Sequence, residues 1–189
     1  MAELWLVRHG ETEWSRIGRH TGRSDPALTA EGEAQARALA PLLEGVAFDE
    51  VWVSPLRRAR DTCRLAGFGE RARVEPALME WDYGALEGRT REEVRRELPG
   101  WTIWTGPWPG GETLADVAAR AGLVVERARA TSGRVLAFAH GHLIRAVALR
   151  WAGLPPEAGG ALALDPARLV VLGTERDDEP VIRLWNARP

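Results

Sequence analysis

The chain has 189 residues, 45% hydrophobic and 28% charged, with a formal net charge of −2; this is the profile of a globular domain that buries roughly 70% of its unfolded surface and needs no disulfide or metal for stability. Its one cysteine, Cys63, excludes an internal disulfide and a cysteine zinc cluster, and reads as a small buried hydrophobe. No lysine occurs, which excludes P-loop and Schiff-base lysines; the scattered arginines argue against a nucleic-acid partner, and no apolar run approaches the roughly 20 residues that span a bilayer.

The N-terminus enters an apolar strand at residues 4–7 with no basic leader, so a cytoplasmic protein is expected. That strand runs into Arg8-His9-Gly10. A helix follows over 31–43, with Ala36, Leu39, Ala40 and Leu43 on one face and Thr29 as N-cap. Residues 51–53 form a second strand, ending in Ser54-Pro55 and then Arg57-Arg58, and 58–66 has helical character. A loop-like stretch after Pro76 carries Glu80, Asp82 and Glu87. Thr90 and Glu93 spell a capping box ahead of 94–98. The Gly/Pro-rich run 99–109 holds Trp101, Trp104 and Trp108, either as an aromatic lid or as apolar packing against the body. A long helix spans 114–130. The third strand, 135–139, ends in His140-Gly141-His142 and feeds a helix over 143–151, closed by Gly153 and Pro155. A fourth strand lies at 169–172, with weaker candidates at 161–164 and 181–184. Trp5 and Trp52 fall in strands and read as core. The alternation specifies an α/β fold with a mainly parallel sheet. One domain over 1–189 is expected, with 76–130 as a cap-like loop and helix region.

Parallel strands place their carboxyl ends at one edge, where α/β sheets carry their sites. Arg8-His9-Gly10, Ser54 to Arg58, and His140-Gly141-His142 would therefore converge. Two histidines with several arginines suggest phosphoryl transfer. A neutral imidazole is nucleophilic, and arginine matches phosphate oxygens with a planar fork. Gly10 would allow a sharp turn or a close approach to phosphate. The helix after His140-Gly141 would aim N–H groups at an anion. Among the acids, Glu80 is the best proton donor for a leaving oxygen, with Asp82 and Glu87 as rivals.

Arg8-His9-Gly10-Glu11-Thr12 resembles the signature of the histidine phosphatase superfamily, also called phosphoglycerate-mutase-like. The resemblance extends to 54–62, to 78–88 and to Ala139-His140-Gly141. The segments 28–32 and 109–113 resemble structural motifs of the family. It runs from residue 2 to about residue 172. It implies a three-layer α/β/α fold, a phosphohistidine on His9, Glu80 as acid and then base, and charge stabilisation by Arg8, Arg58 and His140. No cofactor and no metal are implied. Family mutases carry a longer, basic insertion between the acid and the second histidine. The short, lysine-free stretch from Glu80 to His140 therefore favours a phosphatase, with a phosphoglycerate mutase and a silent binding protein as alternatives.

Residues 13–22, 80–84 and 138–142 resemble a subgroup of acid phosphatases and sugar-bisphosphate phosphatases. By that similarity Ser15, Arg19, His20, Thr21, Gly22, Tyr83, Trp104, Gly141, His142 and Arg145 line the substrate pocket. Ser15 stands where much of the family has Asn and offers a hydroxyl to phosphate. Arg145 and Arg19 are candidates for a second anionic group. His20 has a plain alternative as a solvated residue, and His142 as a pocket-wall residue. A metal at His140-Gly141-His142 lacks a third ligand at metal spacing. Arg57 and Arg60 read as surface or ion-paired residues. The expected partner is a small phosphorylated metabolite; the apolar run 181–185 suggests a homodimer.

Overall fold

The structure, a computed structural model, describes residues 2–131 and 133–189. Its sheet contains β1 (Glu3–Arg8), β2 (Glu50–Val53), β3 (Ala72–Val74), β4 (Arg134–Ala139), β5 (Leu169–Thr174) and β6 (Pro180–Ala187). The spatial order is β3-β2-β4-β1-β5-β6. The first four in that order run parallel, and β5 and β6 join antiparallel beside β1. The sheet is mainly parallel, as the alternation of elements requires. The helices are α1 (Glu13–Arg16), α2 (Ala30–Leu43), α3 (Arg57–Leu65), α4 (Arg91–Glu97), α5 (Leu114–Ala130) and α6 (Gly141–Trp151).

Strand β4 explains the layers. Its side chains alternate between two cores, because successive strand residues face opposite sides of a sheet. Val135, Ala137 and Ala139 pack with α5 and α6 residues such as Val117, Val124, Leu143 and Val147. Leu136 and Phe138 pack with Leu39 and Leu43 of α2 and Ala59 and Cys63 of α3. Both faces are covered, so the strand is apolar throughout rather than alternating in polarity. Each large buried side chain contributes roughly 1.5–3 kcal/mol by leaving water. Thr29 caps α2, accepting from Gly32 N–H at 3.0 Å. Thr90 and Glu93 form the reciprocal capping box of α4 at 3.2 and 2.7 Å.

The weak strand candidate at 161–164 is not one. A 3-10 turn over Pro156–Ala161 leads into irregular chain. The edge of β1 is already occupied by β5, and the apolar signal there reflects Leu164 buried under the site. The candidate at 181–184 is the core of β6. Two elements escaped the sequence reading. β3 is three residues long with little burial, and α1 is one turn, capped reciprocally by Thr12 and Ser15. Among the described residues no helix is long and apolar enough to cross a membrane.

Candidate active site

The register aligns the carboxyl ends of the central strands. Arg8 is level with Ala139, and Val53 with Phe138, which brings His9, Ser54 and His140 to one edge. The loop after β1 is then clamped. His9 N–H donates to Ala139 O, and His9 O accepts from Ala167 N–H, both at 3.0 Å. Gly10 N–H donates to Thr62 Oγ1 at 3.0 Å. Gly10 is a glycine because α2 presses on it: a Cβ there would lie 2.3 Å from Gly32 O. Gly32 has the same need, since its Cβ would lie 2.0 Å from Glu11 O. The close approach at Gly10 is to helix α2, a reason for glycine that the sequence did not offer.

His9 Nδ1 lies 2.7 Å from Gly10 O. A carbonyl only accepts, so the ring proton is on Nδ1 and the Nε2 lone pair is free. Burial, reinforced by Arg58 and Arg8, holds His9 well below the ordinary imidazole value, so the ring is neutral at physiological pH. His140 is 5.2 Å away, centroid to centroid. Its Nε2 meets Ser54 Oγ at 2.7 Å. That oxygen also accepts from Leu56 N–H at 3.3 Å; Ser54 is wholly buried and His140 Nε2 is the one acceptor its hydroxyl meets among the described residues, so its hydrogen goes there. The proton of His140 is then on Nδ1. Arg8 is half-buried, and desolvation lowers it to about 10, still charged at neutral pH. Its guanidinium donates to Leu164 O, and Gly141 leaves it room, since a Cβ there would lie 3.3 Å from Arg8 Nε.

Among the described residues, five enclosed side-chain nitrogens have no hydrogen-bond partner: Arg8 Nε, Arg58 Nε, His140 Nδ1, Arg145 Nε and Arg168 Nε. Arg8 and Arg145 line the cavity with His9, Arg58 acts electrostatically on His9, and the His140 ring lies 5.2 Å from it; Arg168 lies outside the cavity lining. Enclosed donors without acceptors are costly, and an anion beside His9 would supply acceptors for the other four.

Glu80 faces this group. Its carboxylate accepts from Trp81 N–H at 2.9 Å, Leu143 N–H at 3.0 Å and His142 N–H at 3.1 Å. The last two are opening N–H groups of α6, so this helix terminus meets the Glu80 carboxylate, a partner the sequence reading did not name. Arg120 of α5 fixes the strand of chain beneath it, donating to Ala77 O at 3.0 Å, to Met79 O and to Glu80 O at 3.3 Å, and pairing with Glu112 at 2.7 Å. Of the rival acids, Glu87 is consumed by Gly22 and Ser24 N–H, and Asp82 by Gly84 N–H and Arg23. Neither lines the cavity. That cavity, about 240 Å3, is lined by Arg8, His9, Ser15, Arg19, His20, Thr21, Glu80, Tyr83, Gly141, His142 and Arg145, together with Gly18 and Arg91. A larger cavity of about 420 Å3 lies beside α3 and β3, but it holds no histidine and no enclosed free donor, so chemistry rather than size places the site. Among the described residues, no three His, Cys, Asp or Glu side chains gather as metal ligands.

The model of the histidine phosphatase superfamily (branch 1) matches residues 4–188. The chain belongs to that superfamily. It is 42% identical to an acid phosphatase of Mycobacterium tuberculosis, over 91% of this chain and 86% of that one. It is 36% identical to a 2,3-bisphosphoglycerate-dependent phosphoglycerate mutase of Azorhizobium caulinodans, over 82% and 83% of the two chains. A solved structure of an open reading frame product from Mycobacterium tuberculosis superimposes with a TM-score of 0.94 at 39% identity, covering 99% and 98%. The α/β architecture and the place of this chain among histidine phosphatase enzymes are therefore shown.

Within this histidine phosphatase, some expected pocket residues do other work. Arg58 is wholly buried; it donates to Thr21 O, Gly22 O and Ser24 O at 2.7–3.0 Å and pairs with Asp25, so only Nε is free. Gly22 does not line the cavity. It exists because a Cβ would lie 2.5 Å from Trp81 O. Ser15 lines the cavity, but its hydroxyl accepts from Thr12 N–H and donates to Thr12 O at 2.9 and 3.0 Å, so it is not a free donor. Trp104 is outside the His9 cavity, packed behind His142 and lining an adjoining one. Trp101 and Trp104 are buried in the core, the packing alternative rather than a lid. His20 is buried, its Nδ1 2.7 Å from Arg89 O, not solvated. Cys63 is buried, and burial pushes its thiol up to about 12. Arg57 is exposed and pairs with Asp61. Arg91 and Arg120 were missed: one begins a short exposed helix, and the other looks like any surface arginine on a long helix.

Proposed function

We propose that this enzyme is a metal-independent phosphatase that hydrolyses a small phosphomonoester through a phosphohistidine on His9. The carrying observation is the pairing of one free imidazole lone pair, on His9, with enclosed unpartnered donors on Arg8, Arg58, His140 and Arg145. In this reading His9 Nε2 attacks phosphorus in line, forming an N–P bond as the P–O bond to the alcohol breaks. Glu80 gives its proton to that oxygen. As a carboxylate, Glu80 then takes a proton from water, which attacks phosphorus, breaks the N–P bond and releases phosphate. Arg8, Arg58 and His140 hold the equatorial oxygens, a preorganised electrostatic role. Residues 1–189 act as one catalytic domain, with 76–130 supplying the wall over His9.

Arg19, Arg91 and Arg145 share the cavity, which supports a substrate whose alcohol part bears a second anionic group. The stretch from Glu80 to His140 is short, and the acid phosphatase relative is more similar than the mutase relative; both support hydrolysis over isomerisation. The test is release of p-nitrophenol from p-nitrophenyl phosphate with EDTA present, repeated with His9→Ala. Turnover that survives chelation and is lost in the variant is expected, with an acid-labile phosphoenzyme on the unsubstituted protein. Isomerisation of 3-phosphoglycerate faster than its hydrolysis would instead establish the mutase reaction.

A further inference from the structure

His142 has no step in the reaction above, yet it stands where two cavities meet. One is the cavity of His9. The other, also about 240 Å3, is lined by Trp101, Thr102, Trp104 and Glu157 and shares His20, Arg91, His142 and Arg145 with the first. The ring is held on several sides. His20 lies nearly parallel at 6.4 Å, and Trp104 and Trp81 lie across it at 5.6 and 6.4 Å. Nδ1 meets Tyr83 Oη at 2.5 Å. Nε2 has no protein partner among the described residues and, unlike Nδ1 of His140, is not sealed off.

The Tyr83–His142 bond has one self-consistent direction. Burial holds the Tyr83 phenol well above its ordinary value. Burial, together with Arg145, His20 and Arg8, holds His142 well below its own. Both groups are neutral. A neutral phenol must donate its hydrogen or leave it enclosed without an acceptor, and His142 Nδ1 is its partner. Nδ1 therefore accepts, and the ring proton lies on Nε2.

We propose that Tyr83 is a positioning residue that locks His142 in the Nε2–H form, so that His142 donates a hydrogen bond to a carboxylate or hydroxyl oxygen of the substrate's alcohol part. His142 is then a specificity determinant at the junction of the two cavities. This deepens the phosphatase reading and rests on it for the position of the phosphate.

Two measurements on the full-length protein test the assignment. Two-bond nitrogen–proton correlations on 15N-histidine-labelled protein report the tautomer without turnover. The Nε2–H pattern is expected for His142, with mixed tautomers in Tyr83→Phe; an Nδ1–H pattern in the unsubstituted protein overturns the proposal. The second compares kcat/KM for 3-phosphoglycerate and for phenyl phosphate, whose alcohol part has no such oxygen. His142→Leu should lower the ratio of the two about tenfold, through KM. His142→Gln, which keeps an N–H donor near the position of Nε2, should recover most of it. An unchanged ratio overturns the proposal and leaves the His9 chemistry standing. Absence of turnover of either ester by the unsubstituted protein overturns the phosphatase reading instead, and the tautomer then decides the direction of the bond.

Discussion

Gly32→Ala pits two effects of opposite sign against each other. Alanine in a helix is favoured over glycine by up to about 1 kcal/mol. At Gly32, however, the new Cβ would lie 2.0 Å from Glu11 O and 2.8 Å from Glu11 N. An ordinary carbon–oxygen approach is about 3.3 Å, so helix α2 and the loop after His9 must separate by roughly 1.3 Å. Both obstacles are backbone, and the loop is pinned from behind by Thr62 and Ala167, so it cannot yield freely. Overpacking of this kind costs about 1–3 kcal/mol. The net expectation is a loss of about 1–2 kcal/mol, read from urea unfolding. Activity should fall further than stability suggests, because a displacement of about 1 Å at a reacting group costs on the order of a hundredfold in rate. The assay is kcat on p-nitrophenyl phosphate at a temperature where the variant is fully folded. A variant of raised stability and unaltered kcat would refute the argument that the Gly10–Gly32 contact sets the place of His9.

Other expectations follow from the same geometry. His9, His20, His140 and His142 are all held below the ordinary imidazole value, in each case chiefly by burial. The folded protein therefore binds fewer protons than the unfolded chain as pH falls below about 6.5, and stability declines in that window by up to about 1.4 kcal/mol per pH unit for each histidine. Urea midpoints measured from about pH 7.5 to 5.5 should fall accordingly; a flat profile would contradict the neutral-imidazole assignment. Arg120→Ala removes the donor shared by Ala77, Met79 and Glu80 carbonyls; kcat should drop by about a hundredfold with little change in KM, and a KM effect alone would place Arg120 in substrate binding. Cys63, pushed up to about 12 by burial, should resist iodoacetamide at about pH 8 until urea unfolds the chain, which mass spectrometry of the alkylated protein would show.

Much of this site was legible because its residues sit at strand ends. Residues 4–7, 51–53 and 135–139 announce buried strands by their apolar runs, and each is followed by a polar, histidine- or arginine-bearing break. Parallel pairing then leaves little freedom in where those breaks meet. The capping box of α4 was also legible, since Thr90 and Glu93 act within one helical turn. Of the three acids the sequence offered, only Glu80 lines the cavity with His9, and its distinction from Asp82 and Glu87 lies in which backbone N–H groups each one meets, which come from elements 60 residues or more away in the case of α6. The purposes of Gly10 and Gly22, the engagement of Arg58 with three carbonyls, and the service of Arg120 depend on the same kind of distant approach.

For the fold class and for the meeting of His9 with His140 at one sheet edge, local pattern was sufficient. Strand periodicity and the Arg8-His9-Gly10 segment act over a few residues, and the α/β topology transmits them to one edge. The tertiary structure decided everything that depends on which neutral donor faces which acceptor. It put the free lone pair of His9 on Nε2 by offering Gly10 O to Nδ1, turned the opening of α6 toward Glu80, and set Tyr83 against His142. Those choices are made by contacts of 2.5–3.1 Å between segments remote in the chain, where a shift of one ångström makes or breaks a hydrogen bond, and no spacing along the sequence encodes them.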